Sequence, residues 1–372
     1  MPAVSDAVWS EQGTTPDRIE AALRGLLAER HAENGGFVPA RALNMIAFVD
    51  REWSGEIANR LRGVGRFHAS RLVVLSYEPG RERLDARATV ASEGDPRPGE
   101  LSLLRETVVV ELGDRHLDDL ATIADPLVVT DLPTLLWSPH GHHEIIDALL
   151  GLAQAVLLDS VDEPDFRAAI ERARELSKRA YVVDLAWLRS TPWRERIATT
   201  FDPPARRREL RAIADVAIRH HPESAIAAML LVGWLASRLG WEVQPLHARE
   251  HSLVGEARAE SCGEADADDT NAGGAEGADQ PIALRLEAAP ELQVRGLAGL
   301  ALETAAGRTL RLDRGPGGLH AYSRDARGSE REWTILGASR GEAGILGEGI
   351  RQALLRDPTY GPALAAAAEL AP

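Results

Sequence analysis

The sequence predicts an α/β protein: a mostly parallel α/β N-terminal region, then an α+β region with an antiparallel meander and a closing helix. Three observations carry that reading. Continuous apolar runs alternate with helix-like stretches through the first half of the chain, as in sheets built from strand–helix–strand units. The last third has short alternating runs separated by glycine-rich turns, the pattern of an antiparallel meander. Between them, residues 255–280 are mostly small or acidic and have almost nothing to bury. The expected division is an N-terminal α/β domain over 1–160 and a C-terminal α+β domain over 161–372, with a disordered acidic insertion at about 251–281.

The elements follow in order. Thr14-Thr15-Pro16-Asp17 opens a helix, IEAALRGLLAERHA, with proline in its first turn. Strand-like runs follow at 42–50 (ALNMIAFVD), 71–78 (RLVVLSYE), 86–92 (ARATVAS) and 106–112 (ETVVVEL). WSGEIANRLRGVG between the first two reads as a helix capped by Ser54, and HLDDLATIA as another helix. PLVVTD (126–131) and AVLLDS (155–160) read as buried parallel strands, with helical HEIIDALLGLA between them. DEPDFRAAIERARELSKRA is a capped helix, and YVVDLAWL passes from strand into helix. ESAIAAMLLVGWLASRLG is apolar all round, which predicts a buried helix ending at Gly240. WEVQPLH, IALRLEA, LQVRGLAGLAL, RTLRLDR, GLHAYSR and EWTILGA form the second sheet, and GILGEGIRQALLRD is the closing helix.

Bulk properties exclude several functions. The net charge of −15 disfavours nucleic acid and anionic membranes as partners. No apolar run is long enough to span a bilayer. MPAVSDAVWSEQG lacks the basic and apolar regions of a secretory signal, and one cysteine, Cys262, cannot form an internal disulfide. A cytoplasmic protein is therefore expected. Lys178 is the only lysine, so no phosphate-binding loop of the Gly-Lys-Ser/Thr kind exists. No Gly-x-Gly-x-x-Gly opens a strand–helix unit either. The sequence calls for no cofactor.

Four motifs compete for a chemical role. In DPLVVTDLPTLLWSPHGHHE (125–144) three histidines, His140, His142 and His143, fall within four positions. They lack the second ligand-bearing element of a zinc site, which favours a helix-entry loop at a strand's carboxyl end, where α/β sheets bind ligands. Asp159, Asp162, Glu163 and Asp165 suit helix capping better than Mg²⁺ binding. GASRG around Ser339 matches a nucleophile elbow, but no histidine follows it. Finally, WLRSTPWRERIATTFDPP (187–204) starts a helix at Ser190-Thr191-Pro192, with Glu195 placed for a capping box. Its Trp187, Trp193, Arg189, Arg194 and Arg196 are the residue types enriched at interface hot spots.

Several long stretches resemble the OpcA proteins of actinobacteria, the glucose-6-phosphate dehydrogenase assembly proteins. They are ALNMIAFVDREWSGEIANRL, DPLVVTDLPTLLWSPHGH, LLGLAQAVLLDSVDEPD and AYVVDLAWLRSTPWRERIATTFDPP. The resemblance runs from about residue 14 to 250 and resumes in the meander and final helix. It implies a non-catalytic partner that binds glucose-6-phosphate dehydrogenase and promotes its active oligomer, feeding the oxidative pentose phosphate pathway and NADPH supply. It brings no catalytic residues, and the thiol control of the cyanobacterial branch does not carry over to Cys262 alone. On this reading Trp137, Ser138, His140 and His142, together with Trp187, Arg189, Thr191, Trp193 and Arg194, shape a surface for the dehydrogenase or for a ligand. The competing expectation is a sugar-phosphate enzyme or sensor using Arg189, Arg194 and His140 around the anion.

Overall fold

A computed structural model describes residues 6–33, 41–65, 70–92, 104–259, 281–336 and 341–372. The chain divides into two units. The first takes residues 1–158, 175–183 and 342–356, and the second 159–174, 184–341 and 357–372.

The first unit is built on β1 (Ala7–Glu11), α1 (Pro16–Glu33), β2 (Leu43–Asp50), α2 (Arg51–Gly65), β3 (Ser70–Tyr77), β4 (Asp85–Ser92) and β5 (Leu104–Leu112). There follow α3 (Leu120–Ala124), β6 (Thr134–Trp137), α4 (His143–Leu149) and β7 (Ala155–Leu158). Then α5 (Phe166–Ser177) and β8 (Tyr181–Asp184) cross the division between the units. The strands form one eight-stranded sheet in the order β1-β4-β5-β3-β2-β6-β7-β8. β5, β3, β2, β6 and β7 run parallel, while β4 and β1 add an antiparallel edge. Leu43 to Val49 are all buried, as a strand covered on both faces requires. From β2 the chain adds strands first on one side (β3, β5) and then on the other (β6, β7). That reversal is the switch point at which open α/β sheets form a crevice.

The second unit holds α6 (Leu185–Arg189), α7 (Thr191–Phe201), α8 (Pro204–Leu210), β9 (Ile213–His220) and α9 (Ala225–Leu239). Its strands continue with β10 (Trp241–Val243), β11 (His247–Arg249), β12 (Ser252–Ala259), β13 (Ile282–Ala288), β14 (Leu297–Thr304), β15 (Thr309–Gly315), β16 (Gly318–Arg324) and β17 (Glu330–Leu336). α10 (Glu342–Leu355) then returns to the first unit, where it packs on α2 and β7, and α11 (Tyr360–Leu370) closes the second against α9. The nine-stranded sheet runs β10-β12-β13-β9-β14-β15-β16-β17, with β11 beside β12. β14 to β17 are the expected meander. α9 is buried along most of its length and ends at Gly240, whose φ of 65° is the left-handed cap.

The structure corrects five readings. Residues 126–131 form no strand. The buried Asn44 amide bonds Val129 N, Val129 O and Leu132 O, so a side chain satisfies backbone that a sheet neighbour would otherwise satisfy. Ser54 caps nothing: it lies within α2, its hydroxyl donating to Arg51 O at 2.9 Å. β9 is a strand the sequence reading missed, and it separates IALRLEA (β13) from the meander by pairing parallel with it. Residues 252–259 of the supposed insertion form β12, held between β10 and β13. The chain also has one helix, α11, beyond the expected closing one. Residues 260–280 with Cys262, and Ser339, lie outside the described residues. Among the described residues no helix is long and apolar enough to cross a membrane.

Candidate functional site

In the first unit the carboxyl ends of the parallel strands bring together residues far apart in sequence. β2 ends at Asp50 and α2 starts at the next residue. β6 ends at Trp137, which is buried, and the turn after it takes Gly141 to φ 89° and His142 to φ 52°. A left-handed histidine costs energy that the surroundings must offset. Here its ring stands edge-on to Phe48, with centroids 5.0 Å apart, and its Nε2 lies 3.1 Å from Asp50 Oδ1. Tyr77 flanks the ring at 6.3 Å and donates its hydroxyl to Asp114, which also accepts from Gly80 N at 2.7 Å. The Tyr77 bond holds the Asp114 carboxyl below its usual range and raises the Tyr77 phenol. Ser138 Oγ is buried without a hydrogen-bond partner among the described residues. His140 is exposed and lies against Trp53, centroids 5.6 Å apart.

A crevice at such a switch point takes up dinucleotides in many proteins, through a glycine-rich turn and a free helix N-terminus that cradle the pyrophosphate. The residues here do not fit one. No turn separates β2 from α2, Glu52 sits in the helix's first turn, and the Asp50 carboxylate and the His142 ring occupy the strand end. Negative groups at this point repel a pyrophosphate.

The second candidate group lies in the second unit and is internal. Trp187, Trp193, Arg189 and Arg194 are all buried, while Thr191 is half-buried. Arg189 chelates Asp159 with two bonds of 2.8 and 2.7 Å. The Arg194 guanidinium lies 3.5 Å from the centroid of the Trp187 ring and 3.4 Å from Asp357, and bonds Thr191 Oγ1 at 3.0 Å. Burial pushes the Arg194 pKa down to about 10 against the pull of Asp357. Trp187 Nε1 donates to Asp357 at 2.9 Å, and its ring packs on Tyr360. A binding surface needs exposed side chains and an anion site needs uncommitted guanidinium groups. These residues offer neither, so they can act on a partner only by positioning their neighbours. The expected capping box is not formed either: Ser190 Oγ bonds Trp187 O, and Glu195 is exposed. Asp159 and Asp165 do cap, accepting from Val161 N and from Arg167 N and Ala168 N.

Asp184 was missed by sequence reasoning because its partners are distant in the chain. It accepts from Ser160 N and Oγ, Ala186 N and Tyr360 Oη. Complete burial raises its pKa from 3.8 to about 6, although these bonds favour the ionised form. The unfolded chain therefore ionises Asp184 at lower pH than the folded one does. Its contribution to stability is greatest below pH 4, falls as pH rises to about 6, and is level above. Asp184→Asn should keep the bonds, with its oxygen on the two backbone N–H groups and its amide donating to the two hydroxyls. Urea titrations across pH 4–7 should show the Asn variant gaining on wild type up to about pH 6, by on the order of 2–3 kcal/mol. A pH-independent difference would contradict this assignment.

With the geometry described, comparison with known proteins identifies its relatives. Residues 62–175 match the N-terminal domain, and residues 180–364 the C-terminal domain, of the glucose-6-phosphate dehydrogenase subunit, the OpcA models. A protein of Synechococcus elongatus that bears the name OxPP cycle protein OpcA is 28% identical over 37% of this chain and 32% of its own length. One of the same name from Nostoc punctiforme is 31% identical over 37% of this chain and 30% of its own. The chain thus aligns with about a third of the length of these curated relatives. An oxidoreductase of Bacillus cereus superposes with a TM-score of 0.45 at 11% identity, covering 88% of this chain and 94% of its own. An NAD-binding oxidoreductase of Klebsiella pneumoniae gives 0.45 at 12%, covering 89% and 94%. Likeness at that level carries nothing about activity.

Proposed function

This chain belongs to the OpcA family of glucose-6-phosphate dehydrogenase subunits, and from that premise we propose that it is a non-catalytic assembly factor and activator of glucose-6-phosphate dehydrogenase. It would act in the cytoplasm, in the oxidative pentose phosphate pathway. The observation that carries the reading is the match of both domains of the dehydrogenase subunit along the chain. The chemistry agrees with it. The carboxyl ends of the strands present acids and aromatic rings where a dinucleotide enzyme needs a phosphate cradle. The arginines that a sugar-phosphate sensor would need are tied to Asp159 and Asp357. An activator needs no chemistry of its own; it binds the active conformation of its target more tightly than the inactive one. Couplings of this kind change an affinity by about 5- to 150-fold. The test is the rate of the same organism's dehydrogenase against glucose 6-phosphate concentration, with and without this chain. A lower apparent KM or a higher maximal rate, saturating at a fixed molar ratio, is expected. Superimposable curves at all ratios would reject the proposal.

A further inference from the structure

The structure assigns a docking anchor that the sequence reading passed over: we propose that Trp53, backed by His140, receives an arginine or lysine side chain of the dehydrogenase. The inference rests on the activator reading and names the contact that reading lacks. Trp53 is 43% exposed in the first turn of α2, and it is the one aromatic among the large hydrophobic side chains exposed in the described residues. It is not a loose side chain, because the His140 ring lies 5.6 Å from its own and holds one flank of it. A large ring kept in water at the carboxyl end of the sheet is the type of residue that anchors protein interfaces.

The charges beside it say what kind of group it takes. Asp50, Glu52 and Glu56 lie on the same strand end and helix turns, and Glu144 follows the histidine loop. Two arginines lie among them and both are committed: Arg51 is engaged by Glu78 and by Glu111, the latter at 2.6 Å, and Arg60 pairs with Glu56 at 2.5 Å. Glu52 makes no ion pair among the described residues, and Glu144 is largely exposed with His142 Nδ1 3.6 Å away. An exposed aromatic ring with carboxylates beside it in the chain attracts a cation through the ring quadrupole and through Coulomb forces together. It repels phosphate, so this end of the sheet is matched to a basic protein side chain rather than to a nucleotide.

The experiment is a calorimetric binding titration of the full chain into the same organism's dehydrogenase, for wild type, Trp53→Ala and Glu52→Arg, each checked for native circular dichroism. Trp53→Ala is expected to weaken binding at least tenfold. Glu52→Arg is expected to weaken it and to flatten its dependence on salt, since a rim charge acts mainly on encounter. Both variants binding like wild type would overturn the docking assignment while leaving the activator reading in place. No complex with the wild-type chain would overturn both.

Discussion

Arg189→Ala is expected to destabilise the second unit by about 3–5 kcal/mol, because it strands a buried carboxylate. The Arg189 and Asp159 side chains are 4% and 7% exposed and share two hydrogen bonds. In water each would be solvated; here each has the other. Removing the guanidinium leaves Asp159 with Arg295 at 3.8 Å, a half-exposed group that is itself bonded to Asp162. That residual partner places the cost toward the lower end. The double change Arg189→Met with Asp159→Asn removes both charges and keeps much of the volume, so it should cost far less than the single one. The Asn can still accept from Val161 N, as Asp159 does. Calorimetry should show the second unit of the single variant melting roughly 10 °C lower, given about 2–4 °C per kcal/mol for a unit of this size. Equal losses in the single and double variants would show that packing, not charge, is what the pair supplies.

Gly233→Ala should destabilise although alanine is the better helix former by about 1 kcal/mol. Gly233 lies in α9 where α11 crosses it. A Cβ there would stand 2.3 Å from Ala363 O and 2.9 Å from Ala367 N. Backbone atoms cannot rotate aside as a side chain can, so α11 must shift bodily, at a cost of about 1–3 kcal/mol or more. The shift would also pull on the Tyr360 hydroxyl that bonds Asp184. Gly151→Ala, with nothing within 4 Å of the added atom, is the control and should stay within about 0.5 kcal/mol of wild type. A stabilised Gly233→Ala protein would mean that the two helices are less closely packed than described.

Much of the fold is legible because burial writes itself into local pattern. β2 and β3 are continuous apolar runs since both sheet faces are covered. α9 reads as buried from its composition, and Gly240 marks its end. The failures occur where a decisive partner is far away in the chain. The 126–131 run looks like a strand until Asn44, some 85 residues earlier, takes its hydrogen bonds. β12 blends into the acidic tract by composition, and only its register with β13 makes it a strand. Trp187 and Arg194 have the composition of an interface, but Asp357, Tyr360 and the surrounding core make them interior. In the other direction, Trp53 looked like one more helix residue. Its exposure, and its contact with a histidine on another loop, appear only once the strand order places the two ends together.

Sedimentation velocity of the dehydrogenase alone, of this chain alone and of their mixture tests the central claim most directly. If the chain is an assembly factor, the mixture should give a new, faster boundary containing both proteins, with the dehydrogenase shifted to a single larger species as the chain is added. Two boundaries unchanged from the separate samples, at concentrations where the dehydrogenase is active, would contradict it.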